Sequence, residues 1–186
     1  GSMPLGVARL TALDALSHAL ESAVCNTSTE ESRGISFRAF RKMAPVIEAV
    51  LAGQATVEQR GEMLLGAALA GQAIEASMLG AAHAAANPLT AHYDVVHGRA
   101  VLTMLPSIMK WNSQVVGEVY QRLQPDLITW VESLRGHAGL EPVTVSESDI
   151  PQLAQKASRQ WTGQFNPRPL EVEDFEKVYR EALLLA

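Results

Sequence analysis

Apolar residues recur along this chain at spacings of three and four, and strict alternation nowhere runs for five residues, so the pattern predicts helices from end to end. Residues 12–24 (ALDALSHALESAV) read as a first helix, with Thr11 as its N-cap and Asp14 at the third helical position able to reach back. Residues 36–52 read as a second, kinked or divided at Pro45. A long third helix is expected over residues 56–86, opened by Thr56 with Glu58 and Glu62 in its early turns and ended by Asn87-Pro88. A fourth follows His97 and is expected to kink or break at Pro106, with a separate short helix over residues 113–123. Further helices are expected over residues 125–139, 146–158 and 171–186, the last two separated by a loop at residues 161–170.

No repeat or low-complexity linker divides this pattern, which therefore predicts one all-α, multi-helix domain over residues 4–186. Gly1, Ser2 and Met3 read as residues left by cloning. The third predicted helix is crowded with Gly66, Ala67, Ala68, Ala70, Gly71, Ala73, Ala76 and Gly80, which suits a helix that neighbours approach closely.

Composition narrows the function classes. A formal charge of −5 over 186 residues gives no field to hold nucleic acid, and the one basic cluster, Arg33, Arg38, Arg41 and Lys42, reads as a solvated face. Cys25 is the only cysteine, so no internal disulfide exists and a reducing, cytoplasmic setting is expected. Residues 63–86 have the length of a membrane span, but Gln72, Glu75, Ser77 and His83 interrupt them, so a buried core helix is expected instead.

Candidate chemistry concentrates in "GAAHAAANPLTAHYDVVHG", residues 80–98, which holds three of the five histidines. Asp14 and His18 are four apart, which places both on one helix face. Taken alone, Asp14 is as readily a cap, His18 and His83 core histidines, and His97 a helix-start residue. Taken together, a carboxylate and three imidazoles would suit Fe(II) or Zn(II), whereas calcium or magnesium would demand more oxygens. A metal would also relieve the cost of a buried, unpaired aspartate. Trp111, Tyr120 and Trp130 sit at helical spacing and read as core or interface.

The segments "TALDALSHALES", "SMLGAAHAAANPLTAHYDVVHGRAVLTMLP" and "NPRPL" resemble the C-terminal helical domain of the iron-containing (group III) alcohol dehydrogenase family, which has a dehydroquinate synthase-like fold. The resemblance covers residues 4–186 and carries the family's metal-ligand role onto Asp14, His18, His83 and His97, whose spacing it matches. It implies Fe(2+), or Zn(2+), as the metal, and NAD(P)-dependent interconversion of a primary alcohol or hydroxy acid with a carbonyl compound. It places Trp161, Phe165 and Asn166 in a loop that borders the family's active-site cleft.

Two departures stand out. Where many family members carry a proton-relaying histidine, this chain has Asn87, so a relay would need another group, for which His92 is the candidate. The family's N-terminal dinucleotide-binding domain has no counterpart here, since Gly61, Gly66, Gly71 and Gly80 lie in helical pattern with no strand before them. The expectation is a metal-binding domain cut from a longer enzyme, inactive alone, that meets its nucleotide-binding partner domain and a small alcohol or aldehyde substrate. A homodimer is left open. The competing readings are a stand-alone, non-redox metal enzyme and a non-catalytic oligomerisation module.

Overall fold

The computed structural model describes residues 3–186, which form nine α-helices and one two-residue pair of parallel strands. In chain order the helices are α1 (Leu5–Ser22), α2 (Glu30–Met43), α3 (Ile47–Ala52), α4 (Val57–Glu75), α5 (Ala81–Tyr93), α6 (His97–Leu123), α7 (Leu127–Ala138), α8 (Ile150–Ser158) and α9 (Val172–Ala182). Strands β1 (Thr144–Val145) and β2 (Leu184–Leu185) pair in parallel and tie the end of the chain to the α7–α8 connection. Short 3₁₀ turns at Glu147–Asp149 and Trp161–Phe165 complete the chain.

One apolar core runs through every α-helix. Leu13, Leu16 and Leu20 of α1, Phe40 and Met43 of α2, Leu89 of α5, Leu102 and Leu105 of α6, and Phe175 and Tyr179 of α9 are all within it. α1 lies against α2, α4 and α6, while α5 is held between α6 and α8, so α1, α5 and α6 meet in the interior. Local chemistry explains several boundaries. Thr29 with Ser32 and Thr56 with Gln59 form reciprocal capping boxes that open α2 and α4. The second predicted helix is divided around Pro45 into α2 and α3, because proline cannot continue the hydrogen-bond ladder.

Several expectations from the sequence fail, among them the helix expected to run to residue 186, which stops at Ala182 so that Leu184 and Leu185 can pair as β2. Thr11 caps nothing: α1 starts at Leu5, and the Thr11 hydroxyl donates back to the Val7 carbonyl at 2.9 Å from inside the helix. The long helix expected over residues 56–86 is two helices, α4 and α5, with the break at residues 76–80. Ser77 Oγ closes α4 by donating to the Ala73 carbonyl at 2.6 Å, and Gly80 precedes α5. Asn87-Pro88 does not end a helix; Pro88 lies inside α5, where the Tyr179 hydroxyl donates to the neighbouring Ala85 carbonyl at 2.6 Å. Nor does Pro106 break α6; the division expected there falls instead at Val116, where the backbone leaves helical geometry (φ −129°, ψ 17°) and the remaining segment continues beyond a kink.

The real turn before His97 is at residues 94–96. Asp94 adopts a left-handed conformation there, φ 51°, a region aspartate visits more readily than most residues. None of the helices among the described residues is long and apolar enough to cross a membrane.

Candidate metal centre

Three helices supply the cluster. α1 presents Asp14 and His18 one turn apart, α5 presents His83 as its third residue, and α6 begins with His97. The approach of α1 to α6 depends on Gly98: a β-carbon there would sit 2.2 Å from the Leu10 carbonyl oxygen. Close approach at the Asp14 end of α1 therefore comes from Gly98 of α6, and at its Glu21 end from Gly80, one of the small residues of the third predicted helix. Gly66 of α4 instead faces Met43 and Ala39 of α2.

The Nε2 atoms of His18, His83 and His97 each lie 3.6 Å from Asp14 Oδ1. One donor atom each from Asp14, His83 and His97 lies within 4.8 Å of the other two. His18 falls outside this set of mutually close donors and is tied to it by its approach to Asp14. Donors around a shared tetrahedral ion at about 2.1 Å are roughly 3.4 Å apart, so the 3.6 Å separations from Asp14 suit a common centre. They do not suit hydrogen bonds, which fail beyond about 3.5 Å. Asp14 Oδ1 and His83 Nε2 are accordingly buried with no hydrogen-bond partner. Such orphaned atoms are costly unless something else satisfies them, and a cation is the partner both could share.

Exposure grades across the cluster, from 5% for the His83 side chain to 39% for His97, so the centre is closed beneath His83 and open beside His97. Burial lowers the pKa of His18 and of His97 further than Asp14 raises it, so both present neutral nitrogens near pH 7. Burial alone would raise the Asp14 carboxyl, but the imidazoles of His83, His18 and His97 hold it below its ordinary range. His83 is the opposite case: burial disfavours its charge, yet Glu21 and Asp14 outweigh that and push it up to about 9.

Glu21 is the site residue that sequence reasoning missed. It is 4% exposed, its Oε2 accepts a hydrogen bond from His83 Nδ1, and its Oε1 accepts the Ala82 amide at 2.7 Å. The signal was present: Asp14, His18 and Glu21 stand at i, i+4 and i+7, so a third polar residue continues the same buried face of α1.

The remaining candidates separate. Asn87 is one turn beyond His83 on the same face of α5, and its Nδ2 donates to Gln160 Oε1 at 2.9 Å. His92, nine residues beyond His83, is on the opposite face of α5, exposed and bonded to Lys156. Trp161 is exposed and stacks edge-on against Phe165 at 5.6 Å. Asn166 is buried: its Oδ1 accepts the Ala81 amide at 3.2 Å, and it exchanges side-chain hydrogen bonds with Asn112. Trp111 packs under the Arg168 guanidinium at 3.5 Å, while Trp130 meets Phe40 edge-on and Tyr120 is buried.

The model of the Fe-containing alcohol dehydrogenase family, C-terminal, matches residues 8–130. Lactaldehyde reductase of Escherichia coli is 29% identical over 200 aligned positions, covering 97% of this chain and 52% of that protein. 1,3-Propanediol dehydrogenase of Klebsiella pneumoniae is 25% identical over 199 positions, covering 96% and 51%. The crystal structure of an iron-containing alcohol dehydrogenase from Thermotoga maritima superposes with a TM-score of 0.87 at 28% identity, covering 98% of this chain and 50% of that one. The chain thus spans about half the length of the curated relatives it matches.

Proposed function

The chain belongs to the Fe-containing alcohol dehydrogenase family, and on that premise we propose that it is the metal-binding, catalytic part of an NAD(P)-dependent oxidoreductase interconverting a primary alcohol or hydroxy acid with its carbonyl counterpart. The observation that carries this reading is the set of three Nε2 atoms, each 3.6 Å from an Asp14 oxygen that has no hydrogen-bond partner.

Asp14, His18, His83 and His97 would hold the ion, and their donors suit Fe(II), with Zn(II) as the alternative. When bound, the ion would supply Lewis acidity toward a substrate oxygen, and the nicotinamide would exchange the hydride. The protein's own share is orientation and charge. Asp14 brings the one negative charge among the four donors, which offsets part of a divalent ion's charge. His18 and His97 bring neutral nitrogens at the open side, where a substrate would enter. His83 closes the inner side and excludes water there.

Asn87 can orient a ligand through its amide, and the bond to Gln160 fixes its plane, but an amide cannot carry a proton at neutral pH. A proton leaving the substrate therefore takes a route that does not run through residue 87. His92, on the far face of α5, is poorly placed to provide it. Trp161 and Phe165 are proposed to line the substrate side of the cleft, an edge-on aromatic pair with the indole exposed.

Metal analysis of protein purified without chelator tests the reading. About one Fe or Zn per chain is expected, with loss of the metal in Asp14→Ala and His97→Ala. Folded variants that keep a full equivalent of metal would overturn it. The 186-residue chain by itself is expected neither to bind NADH tightly nor to oxidise alcohols. The larger protein's activity should require the same four residues.

A further inference from the structure

We propose that Glu21 is the positioning residue of the centre, fixing the tautomer and ring plane of His83 so that Nε2 faces Asp14, and that it does so jointly with the helix end on which His83 sits. The inference rests on the metal reading above.

His83 has two ring nitrogens, and only one can face the cluster. Glu21 Oε2 accepts from Nδ1, which leaves Nε2 free toward Asp14. The pairing resembles the carboxylate–histidine arrangement by which metal sites choose a tautomer and raise the basicity of the donor nitrogen. A carboxylate buried to this degree needs partners for both oxygens. The second oxygen takes the Ala82 amide at the start of α5, one residue before His83, so the same side chain holds the ring and the backbone that carries it. A helix start also favours a negative charge.

Gly80 and Asn166 shape the rest of the same helix start. As the residue before α5, Gly80 has no side chain to cap it, and a β-carbon there would come within 2.9 Å of Glu21 Oε1 and 3.0 Å of Asn166 Oδ1. Those two oxygens instead cap α5 from outside, taking the Ala82 and Ala81 amides. Only the Glu21 cap also touches His83.

The test uses Co(II) as probe, with affinity from chelator competition and ligand geometry from the visible absorption bands. Glu21→Gln keeps the size and one acceptor but loses the charge, so Co(II) is expected to bind 10–100-fold more weakly, about the loss typical of such outer partners, with altered bands. Asn166→Ala uncaps the same helix without touching His83; it is expected to lower stability yet keep a Co(II) Kd close to wild type. Equal losses in both variants would make Glu21 a helix cap only and overturn the proposal, as would an unchanged Kd and spectrum in folded Glu21→Gln. If Glu21→Gln does not fold, nitrogen-15 NMR of the Zn(II)-loaded wild-type chain decides: the proton is expected on His83 Nδ1, and a proton on Nε2 overturns the proposal. A wild-type chain that binds no Co(II) defeats the metal reading and this inference together, whereas binding that Glu21→Gln shares in full defeats this inference alone.

Discussion

Gly98 lies directly against Leu10: a β-carbon at residue 98 would meet the Leu10 carbonyl oxygen at 2.2 Å and its carbonyl carbon at 2.9 Å. The atoms it would strike are backbone, so no side chain can rotate aside. Gly98→Ala should therefore push α6 from α1 and cost about 1–3 kcal/mol, the usual penalty of overpacking. Because His97 is adjacent and Asp14 is one turn beyond Leu10, metal affinity should fall with stability. Denaturant unfolding and metal titration of this variant check both.

Binding to the folded state alone stabilises it by mass action, by about 4 kcal/mol when free metal is about a thousand times Kd. For a chain of this size, stripping the metal with a chelator is expected to lower Tm by roughly 10 °C. Asp14→Ala should show no such difference between loaded and stripped samples. Calorimetric scans with and without metal read this directly.

The pH dependence has a definite sign. Without metal, Glu21 and Asp14 push the pKa of His83 up to about 9, so its Nε2 carries a proton at pH 7, while His18 and His97 are neutral there. A metal taking His83 Nε2 must displace that proton, so binding should release about one proton between pH 7 and 8, and none from that group well above pH 9. Affinity should rise with pH up to about 9. For the metal-free chain, a raised folded pKa stabilises below the unfolded value near 6.5, and that contribution is lost as pH climbs through about 9. Titration calorimetry in buffers of different ionisation heat measures the proton release.

Tyr179 is fully buried and spends its hydroxyl on the Ala85 carbonyl beside Pro88. Tyr179→Phe keeps the ring and removes that bond, so a loss of about 1–2 kcal/mol is expected in denaturant unfolding.

Helical class and the capping of α4 by Thr56 were legible because they depend on local spacing and residue type, and the gathering of His18, His83 and His97 around Asp14 Oδ1 was legible from their spacing once the resemblance was seen. The α4–α5 break was not. Residues 76–79 hold no proline or glycine, and α5 starts where it does because Glu21 and Asn166, distant in sequence, take its first amides. Pro88 misled for the complementary reason. Proline reads as a helix end locally, but buried neighbours on both sides and the Tyr179 hydroxyl hold α5 together through it. Glu21 was readable in principle from its register with Asp14 and His18, yet a glutamate on an apolar stripe points to no role until its partners are known.

The two outside caps on α5 come from opposite ends of the chain, Glu21 from its first helix and Asn166 from the loop before its last. The start of α5, from which His83 projects, is thus a non-local construction, complete only when the N- and C-terminal segments have both closed around it. Contacts of such long sequence separation form late because the loops they close carry the greatest entropic cost. Metal capture at this centre would then mark chains whose first helix has closed against α5.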